Sequence, residues 1–168
     1  DQVTSYNYSF QLPNLQAGDS AMLRVNLLGR SIGGPSSFKV QAAGITKNIP
    51  VATVANSETD AYGKYISTLM AVPATGGALP ITVTYNKYDP ITSIGYMDFL
   101  EVNARRDLRM YGDQLMFRDL RSTGLGRVAN FVLDQAAAVQ HIWDITVPTL
   151  AREVQAPLAG SQRAFVME

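Results

Sequence analysis

The amino-acid sequence predicts an all-β protein that folds as an antiparallel, jelly-roll-like β-sandwich. Three observations indicate this class. Apolar and polar side chains alternate with a period of two in five segments, as they do in strands that bury one face. Stretches rich in Gly, Pro, Asn and Asp separate these runs, and such residues form turns or end a ladder. Only the segment around Ala136–Val139, with three consecutive alanines, favours even a turn of helix.

The alternation is clearest at the start of the chain. In SYNYSFQL the apolar positions share one side of the predicted strand: Tyr6, Tyr8, Phe10 and Leu12. In the next run, MLRVNLLG, Leu23, Val25 and Leu27 face away from Arg24 and Asn26. SFKVQAAG and PITVTYN alternate likewise, and YGKYISTLMAV does so more loosely. These five runs are predicted to be half-buried strands.

The run SIGYMDFLEVN differs, because apolar side chains occupy both of its faces. This pattern predicts a central strand that is covered on both sides. Asp98 would then be a semi-buried carboxylate that needs donors, and the following ARRDLR offers Arg105, Arg106 and Arg109. We expect a structural ion pair here rather than a catalytic acid.

Length and composition exclude several classes of protein. The 168 residues are predicted to form a single domain, residues 1–168. The 14 basic and 14 acidic residues cancel, so no nucleic-acid partner is expected. No run reaches the roughly 18 apolar residues of a membrane span. With no Cys and one His, neither a metal nor a cofactor is expected. Because the chain begins at Asp1 without an initiator Met, we expect a fragment of a longer secreted or surface protein.

Two segments match the residue pattern of an enzyme motif but lack the neighbouring element that the motif requires. GRSIG, residues 29–33, fits the G-x-S-x-G elbow of hydrolases, but the elbow needs a following helix and GGPSSFKV continues into another strand. GLGRVA, residues 124–129, fits a dinucleotide fingerprint, with Asp144 about 20 residues further on. The preceding FRDLRST is too polar for the buried strand that this fingerprint requires. Both segments are predicted to be turns, with Ser31 a turn serine.

Tyrosine is frequent, and exposed aromatic rings could form a platform for sugars. The eight tyrosines are Tyr6, Tyr8, Tyr62, Tyr65, Tyr85, Tyr88, Tyr96 and Tyr111. Sandwich cores also use tyrosine, so a carbohydrate-binding face stays open as an alternative.

Three motifs in residues 94–149 occur in a fixed order. In the gingipain-like sortases of type IX secretion, the PorU family, a strand on an LD-[YW]-[IF]-E-[LV]-N theme precedes R-x-L, then G-x-Q-x-x-F, then a [VI]-W-D-[VI]-T-x-P strand. This sequence resembles that family. The matching residues are Asp98, Phe99, Glu101, Asn103, Arg106 and Leu108, then Gly112, Gln114 and Phe117, then Ile142, Trp143, Asp144, Ile145, Thr146 and Pro148. Met97 stands where Leu is commoner.

The resemblance implies that this segment precedes a cysteine peptidase domain that carries the catalytic Cys and His. The chain itself has no Cys, so no catalytic residue is assigned to it. The signature residues are expected to have structural roles: Asp98, Glu101, Asn103, Gln114, Phe117, Trp143 and Asp144. The expected location is the outer-membrane surface or the extracellular space. The expected partners are the peptidase domain of the same chain and, further, secretion-system subunits or cargo proteins.

The segment HIWDITVP is interpreted as the closing strand of this β-domain. Trp143, Ile145 and Val147 would face the core, while Asp144 faces away and Pro148 ends the ladder. His141, the only imidazole, is interpreted as a rim residue.

Three function classes therefore remain. The first is a non-catalytic accessory domain of a cell-surface sortase, and the second is a carbohydrate-binding jelly-roll module. The third is an enzyme that uses Ser31, His141 and an acid.

Overall fold

The computed structural model describes residues 3–16, 18–73, 76–122 and 124–167, and strands dominate it. No α-helix occurs within these ranges, only a 3₁₀ turn at Pro148–Leu150. The strands are β1 (Ser5–Gln11), β2 (Ser20–Arg30), β3 (Ser36–Ala42), β4 (Ile45–Val51), β5 (Lys64–Pro73), β6 (Ala78–Asn86), β7 (Ile94–Asn103), β8 (Ala129–Leu133), β9 (Trp143–Asp144), β10 (Arg152–Glu153), β11 (Leu158–Ala159) and β12 (Gln162–Met167). The predicted all-β class is confirmed.

The chain divides into two compact units, residues 1–106 and 107–168. The expectation that residues 1–168 form a single domain stays a prediction. In the described ranges, no helix is long and apolar enough to cross a membrane.

The first unit is the predicted antiparallel sandwich. One sheet has the strand order β1-β6-β3-β4 and the other has the order β5-β2-β7. Side chains from both sheets form one core. Leu23, Val25 and Leu27 are fully buried in it, as the alternation of β2 predicts. The two sheets therefore bury their inner faces against each other.

The sequence pattern missed β4. This strand forms a hairpin with β3, in which Ala42 pairs with Ile45 across the two-residue turn Ala43–Gly44. Both turn residues have positive φ, 47° and 79°, as the tightest hairpin turns require. Pro50 cannot donate to a ladder, but β4 lies at the edge of its sheet, where proline is tolerated.

The prediction that β7 is a central strand is wrong, because among the described strands β7 pairs only with β2, at the edge of the sheet. The register slips by one residue: Leu27 pairs with Met97, whereas Asn26 pairs with Phe99. The extra residue, Asp98, forms a bulge, which reverses the alternation beyond it. This reversal explains why strict alternation placed apolar residues on both faces of β7.

Asp98 is consequently exposed rather than semi-buried. Two of the arginines expected to pair with it have other partners. Arg105 Nε lies 3.8 Å from Asp19 Oδ2, and Arg109 Nε lies 3.5 Å from Asp134 Oδ2. Because the bulge turns the carboxylate outward, water can solvate it and no buried donor is required.

The second unit contains a small antiparallel sheet of order β11-β12-β8 and a separate two-residue ladder between β9 and β10. Its buried core consists of Leu133, Ala136, Ala156 and Phe165. The segment around Ala136–Val139 forms a single turn, in which the Val139 amide donates to the Ala136 carbonyl at 3.1 Å. The last strand is β12, so the prediction that HIWDITVP forms the closing strand is wrong.

Candidate functional site

Ser31 is a buried structural residue. Its Oγ donates to the Gly34 carbonyl at 2.7 Å and lies 3.1 Å from the Oγ of Ser93, which is also fully buried. The chain bends after β2 and enters β3 without a helix. The predicted turn serine is confirmed, and the strand-to-helix geometry of a nucleophile elbow does not form here.

The glycine motif at residues 124–129 is also a turn. Gly124 and Gly126 have positive φ, 147° and 73°, and the strand β8 follows directly. A dinucleotide fingerprint requires a helix at this place, since the helix N-terminus holds the pyrophosphate. The predicted turn is confirmed.

The first group of signature residues stiffens the outer side of β7. Glu101 Oε2 lies 3.5 Å from Arg24 Nη1 on β2, and the Asn103 side-chain amide donates to Glu101 Oε1 at 2.9 Å. All three side chains are at least partly exposed, which limits the contribution of this ion pair to at most about 1 kcal/mol. Asp98 lies at the bulge of the same strand.

The second group lies in the second unit. Gln114 is exposed. The ring of Phe117 lies 5.4 Å from that of Phe131 and 6.5 Å from that of Phe165, measured between centroids. Phe117 thus covers one side of the small core, although 41% of its surface stays exposed.

The third group surrounds the β9–β10 ladder. The Asp144 carboxylate accepts hydrogen bonds from the Thr146 side chain and backbone, and Arg152 lies nearby, so the pKa of Asp144 is below its ordinary value. The Thr146 amide donates to Asp144 Oδ1 at 2.9 Å. His141 Nδ1 lies 2.8 Å from Glu153 Oε1 on the partner strand. Both contacts lie in the exposed segment around the β9–β10 ladder, which fits the rim position expected for His141.

Trp143 is not the core anchor that the sequence predicted, because 54% of its surface is exposed. Ile145 and Val147, expected to face the core with it, are 47% and 51% exposed. A two-residue strand has too little sheet around it to bury alternate side chains. Leu133 and Phe165 occupy the core of this unit instead.

Replacing Trp143 by alanine should therefore cost less than the roughly 3–5 kcal/mol of a core aromatic, since a half-exposed ring leaves no sealed cavity. Trp143 is the only tryptophan, so native fluorescence reports on this site alone. We expect emission near that of tryptophan in water. Strongly blue-shifted emission would contradict the exposed position.

Four aromatic side chains gather on the outer side of the β5-β2-β7 sheet, and we call this group the tyrosine face: Tyr62, Tyr65, Tyr96 and Phe99. Their exposed fractions are 53%, 58%, 46% and 40%. Tyr65 and Tyr96 pair with the same residue of the central strand, Leu28. Sequence reasoning counted these tyrosines but could not separate them from Tyr85, which is buried in the core.

Hydrogen bonds and a cation–π contact with neighbouring residues fix the side chains of the tyrosine face. Asn26, only 5% exposed, donates from its side-chain amide to the Tyr65 hydroxyl and accepts from the Ser67 hydroxyl at 2.7 Å. The Arg30 guanidinium lies 4.5 Å from the centroid of the Tyr62 ring and donates to the Tyr62 carbonyl at 2.8 Å. A hydrogen bond with Tyr62 raises the pKa of Tyr96. These contacts within the protein therefore hold the rings in place.

Within the described ranges, no three His, Asp or Glu side chains converge as a metal site would require. A surface concavity of about 370 Å³ lies at the other end of the sandwich, between residues 18–20 and residues 71–73. The tyrosine face is thus the part of the first unit in which exposed aromatic rings and fixed polar groups converge.

No protein-family model matches the sequence, and no curated protein matches it. Among solved structures, the fold is similar to part of dimeric latent PorU from Porphyromonas gingivalis, with a TM-score of 0.79 and 19% sequence identity. That likeness covers 98% of this chain and 16% of the PorU chain. The C-terminal domain of the sugar-binding protein EclA is 16% identical over 61% of this chain and 80% of its own, but its TM-score of 0.39 carries no argument. The chain therefore shares its fold with this part of PorU.

Proposed function

We propose that this chain is a non-catalytic accessory domain of a cell-surface sortase of type IX secretion, where it supports a gingipain-like cysteine peptidase or its contacts with cargo. The observation that carries the proposal is the fold similarity to PorU, which spans 98% of this chain but 16% of PorU. The three ordered motifs in residues 94–149 favour the same family. A PorU-like chain has ample length for a peptidase outside such a domain.

The chemistry of the chain supports a non-catalytic role. A nucleophile must reach its substrate and have a base within hydrogen-bond distance. Ser31 is fully buried, and its hydroxyl is engaged by Gly34 and Ser93. The chain has no Cys, and the only imidazole is bound to Glu153.

The second unit presents apolar side chains that suit a neighbouring protein surface. Trp143, Ile145, Val147 and Leu150 are 47–69% exposed within one short segment. Groups of exposed apolar residues often mark interaction sites. On the proposed function, the peptidase domain of the same chain would contact this segment, and secretion-system subunits or cargo are the further partners. The proposed location is the outer-membrane surface or the extracellular space.

The proposal predicts that Ser31→Ala and His141→Ala leave peptide cleavage by the longer parent protein unchanged. Loss of a nucleophile or of a general base lowers the rate by at least about 100-fold. The rate should be measured per folded molecule, because Ser31→Ala removes buried hydrogen bonds. Ser93→Ala is the matched control, since it breaks the same Ser31–Ser93 contact without touching Ser31.

If the purified chain hydrolysed an ester or peptide, and Ser31→Ala abolished that activity while Ser93→Ala did not, the non-catalytic proposal would fail. Sequencing the parent chain beyond Glu168 provides an independent test. A peptidase domain with a Cys and a His supports the proposal, whereas a parent chain without one contradicts it.

A further inference from the structure

We propose that the tyrosine face is a binding site for a neutral glycan, held by stacking on Tyr65 and Tyr96 and by hydrogen bonds from the polar groups around them. This site would bind its ligand whether or not a peptidase domain is present. It therefore stands independently of the accessory-domain proposal.

The two proposed stacking rings belong to the strands on either side of β2. Tyr65 on β5 and Tyr96 on β7 both pair with Leu28, which is only half-buried, on the strand between them. Because neighbouring strands lie about 4.8 Å apart, the backbones beneath the two rings are separated by roughly 10 Å. Two exposed rings anchored at this separation offer a platform on which a pyranose ring can stack. The electron-rich ring faces then meet the C–H bonds of the sugar.

The rings are already ordered, which lowers the entropic cost of binding. The Asn26 amide fixes Tyr65, and Tyr62 lies beside Tyr96 closely enough to raise the pKa of Tyr96. Arg30 in turn holds Tyr62 by its ring and by its carbonyl. Rigid tyrosines offer large contact areas at little conformational cost.

The polar groups on this surface suit sugar hydroxyls. Tyrosine hydroxyls both donate and accept, and a guanidinium donates in a planar fork. The hydroxyls of Tyr62, Tyr65 and Tyr96 lie with Ser67 and Arg30 around the aromatic rings. This arrangement of an apolar surface with a few fixed polar groups is typical of small-molecule sites.

Size and charge favour a glycan over a protein partner. The tyrosine face spans three strands and about two residue pairs along each strand, which is roughly 10 by 7 Å between backbone positions. A standard protein interface buries about 800 Å² on each partner. Arg24 and Glu101 beside the face pair at 3.5 Å, and the Arg30 guanidinium is engaged by the ring and the carbonyl of Tyr62. Arg30, the charged group that contacts these rings, is thus already engaged within the protein, and we infer a neutral ligand.

The test uses the full 168-residue chain with ¹³C-labelled tyrosine rings. It is titrated with methyl α-glucoside, methyl α-mannoside, methyl β-galactoside, maltohexaose and cellohexaose. We expect saturable shifts of the Tyr65 and Tyr96 resonances for at least one ligand, with a Kd of about 1 mM or tighter. Tyr65→Ala and Tyr96→Ala should each weaken that binding at least tenfold. Tyr65→Phe keeps the ring and should weaken it by less.

Tyr6→Ala is the matched control, because Tyr6 is 55% exposed on β1 of the other sheet. Its binding should equal that of the unchanged chain, and circular dichroism should confirm that every variant is folded. Absence of saturable binding to the whole panel would overturn the proposal. Equal weakening by Tyr6→Ala, or shifts confined to tyrosines outside the face, would overturn it as well.

Discussion

Replacing Leu23 by alanine is expected to lower the free energy of unfolding of residues 1–106 by about 2–5 kcal/mol. Leu23 is fully buried on β2, the central strand of its sheet. Its neighbours in the ladder are Met70 on β5 and Val102 on β7. Truncation loses the transfer of the side chain out of water and leaves a cavity that two paired strands cannot close.

Leu69→Ala is the matched control for Leu23→Ala. Leu69 belongs to the same sheet, but it lies on the outer side and is 48% exposed, so its loss should cost less than about 1 kcal/mol. Urea unfolding followed by circular dichroism measures both changes. Equal destabilisation by the two substitutions would contradict the assignment of the inner and outer faces of this sheet.

Regular alternation was enough to predict the interior of β2, since Leu23, Val25 and Leu27 follow the period of a pleated strand without interruption. It failed at β7 because a bulge changes the phase of the strand, and nothing local in SIGYMDFLEVN marks Asp98 as the extra residue. The bulge depends on how β7 meets β2. Single-sequence periodicity contains no such information.

The strand β4 was missed for a different reason. Its proline argues against a central strand, and only the pairing with β3 shows that the proline occupies an edge. Trp143 shows the opposite error, because a large aromatic in an alternating segment was assumed to be buried. The ladder there is two residues long, so there is no extended sheet that could bury alternate side chains.

The tyrosine face could be predicted only in part. The sequence shows an excess of tyrosine, but Tyr65 and Tyr96 are far apart in the chain and share one face of the sheet only because β2 pairs with both of their strands. Tyr85 has the same side chain, but it is buried in the core. Its hydroxyl is bound by Ser36 at 2.7 Å and donates to the Arg30 carbonyl at 2.9 Å, and its burial raises its pKa.

Replacing Phe165 by alanine is expected to cost residues 107–168 about 3–5 kcal/mol. Phe165 is 5% exposed, pairs with Phe131 across β12 and β8, and stacks on it at 5.6 Å between centroids. Among the described residues, the core of this unit has four buried apolar side chains. Small cores supply little stability, so this loss should unfold most of the unit. Val166→Ala, at a 56% exposed neighbour in the same strand, should cost less than about 1 kcal/mol.

Amide hydrogen exchange distinguishes the consequences of Phe165→Ala, because it reports opening strand by strand. We expect protection to fall in β8 and β12, while Val166→Ala leaves it unchanged. Undiminished protection in β8 and β12 would contradict the role of Phe165 as the centre of this core. If the loss stays within residues 107–168, the two compact units fold separately. If protection also falls in β2 and β6, residues 1–168 unfold as the single cooperative domain that the sequence predicts, since the strands of the sandwich then depend on a side chain outside it.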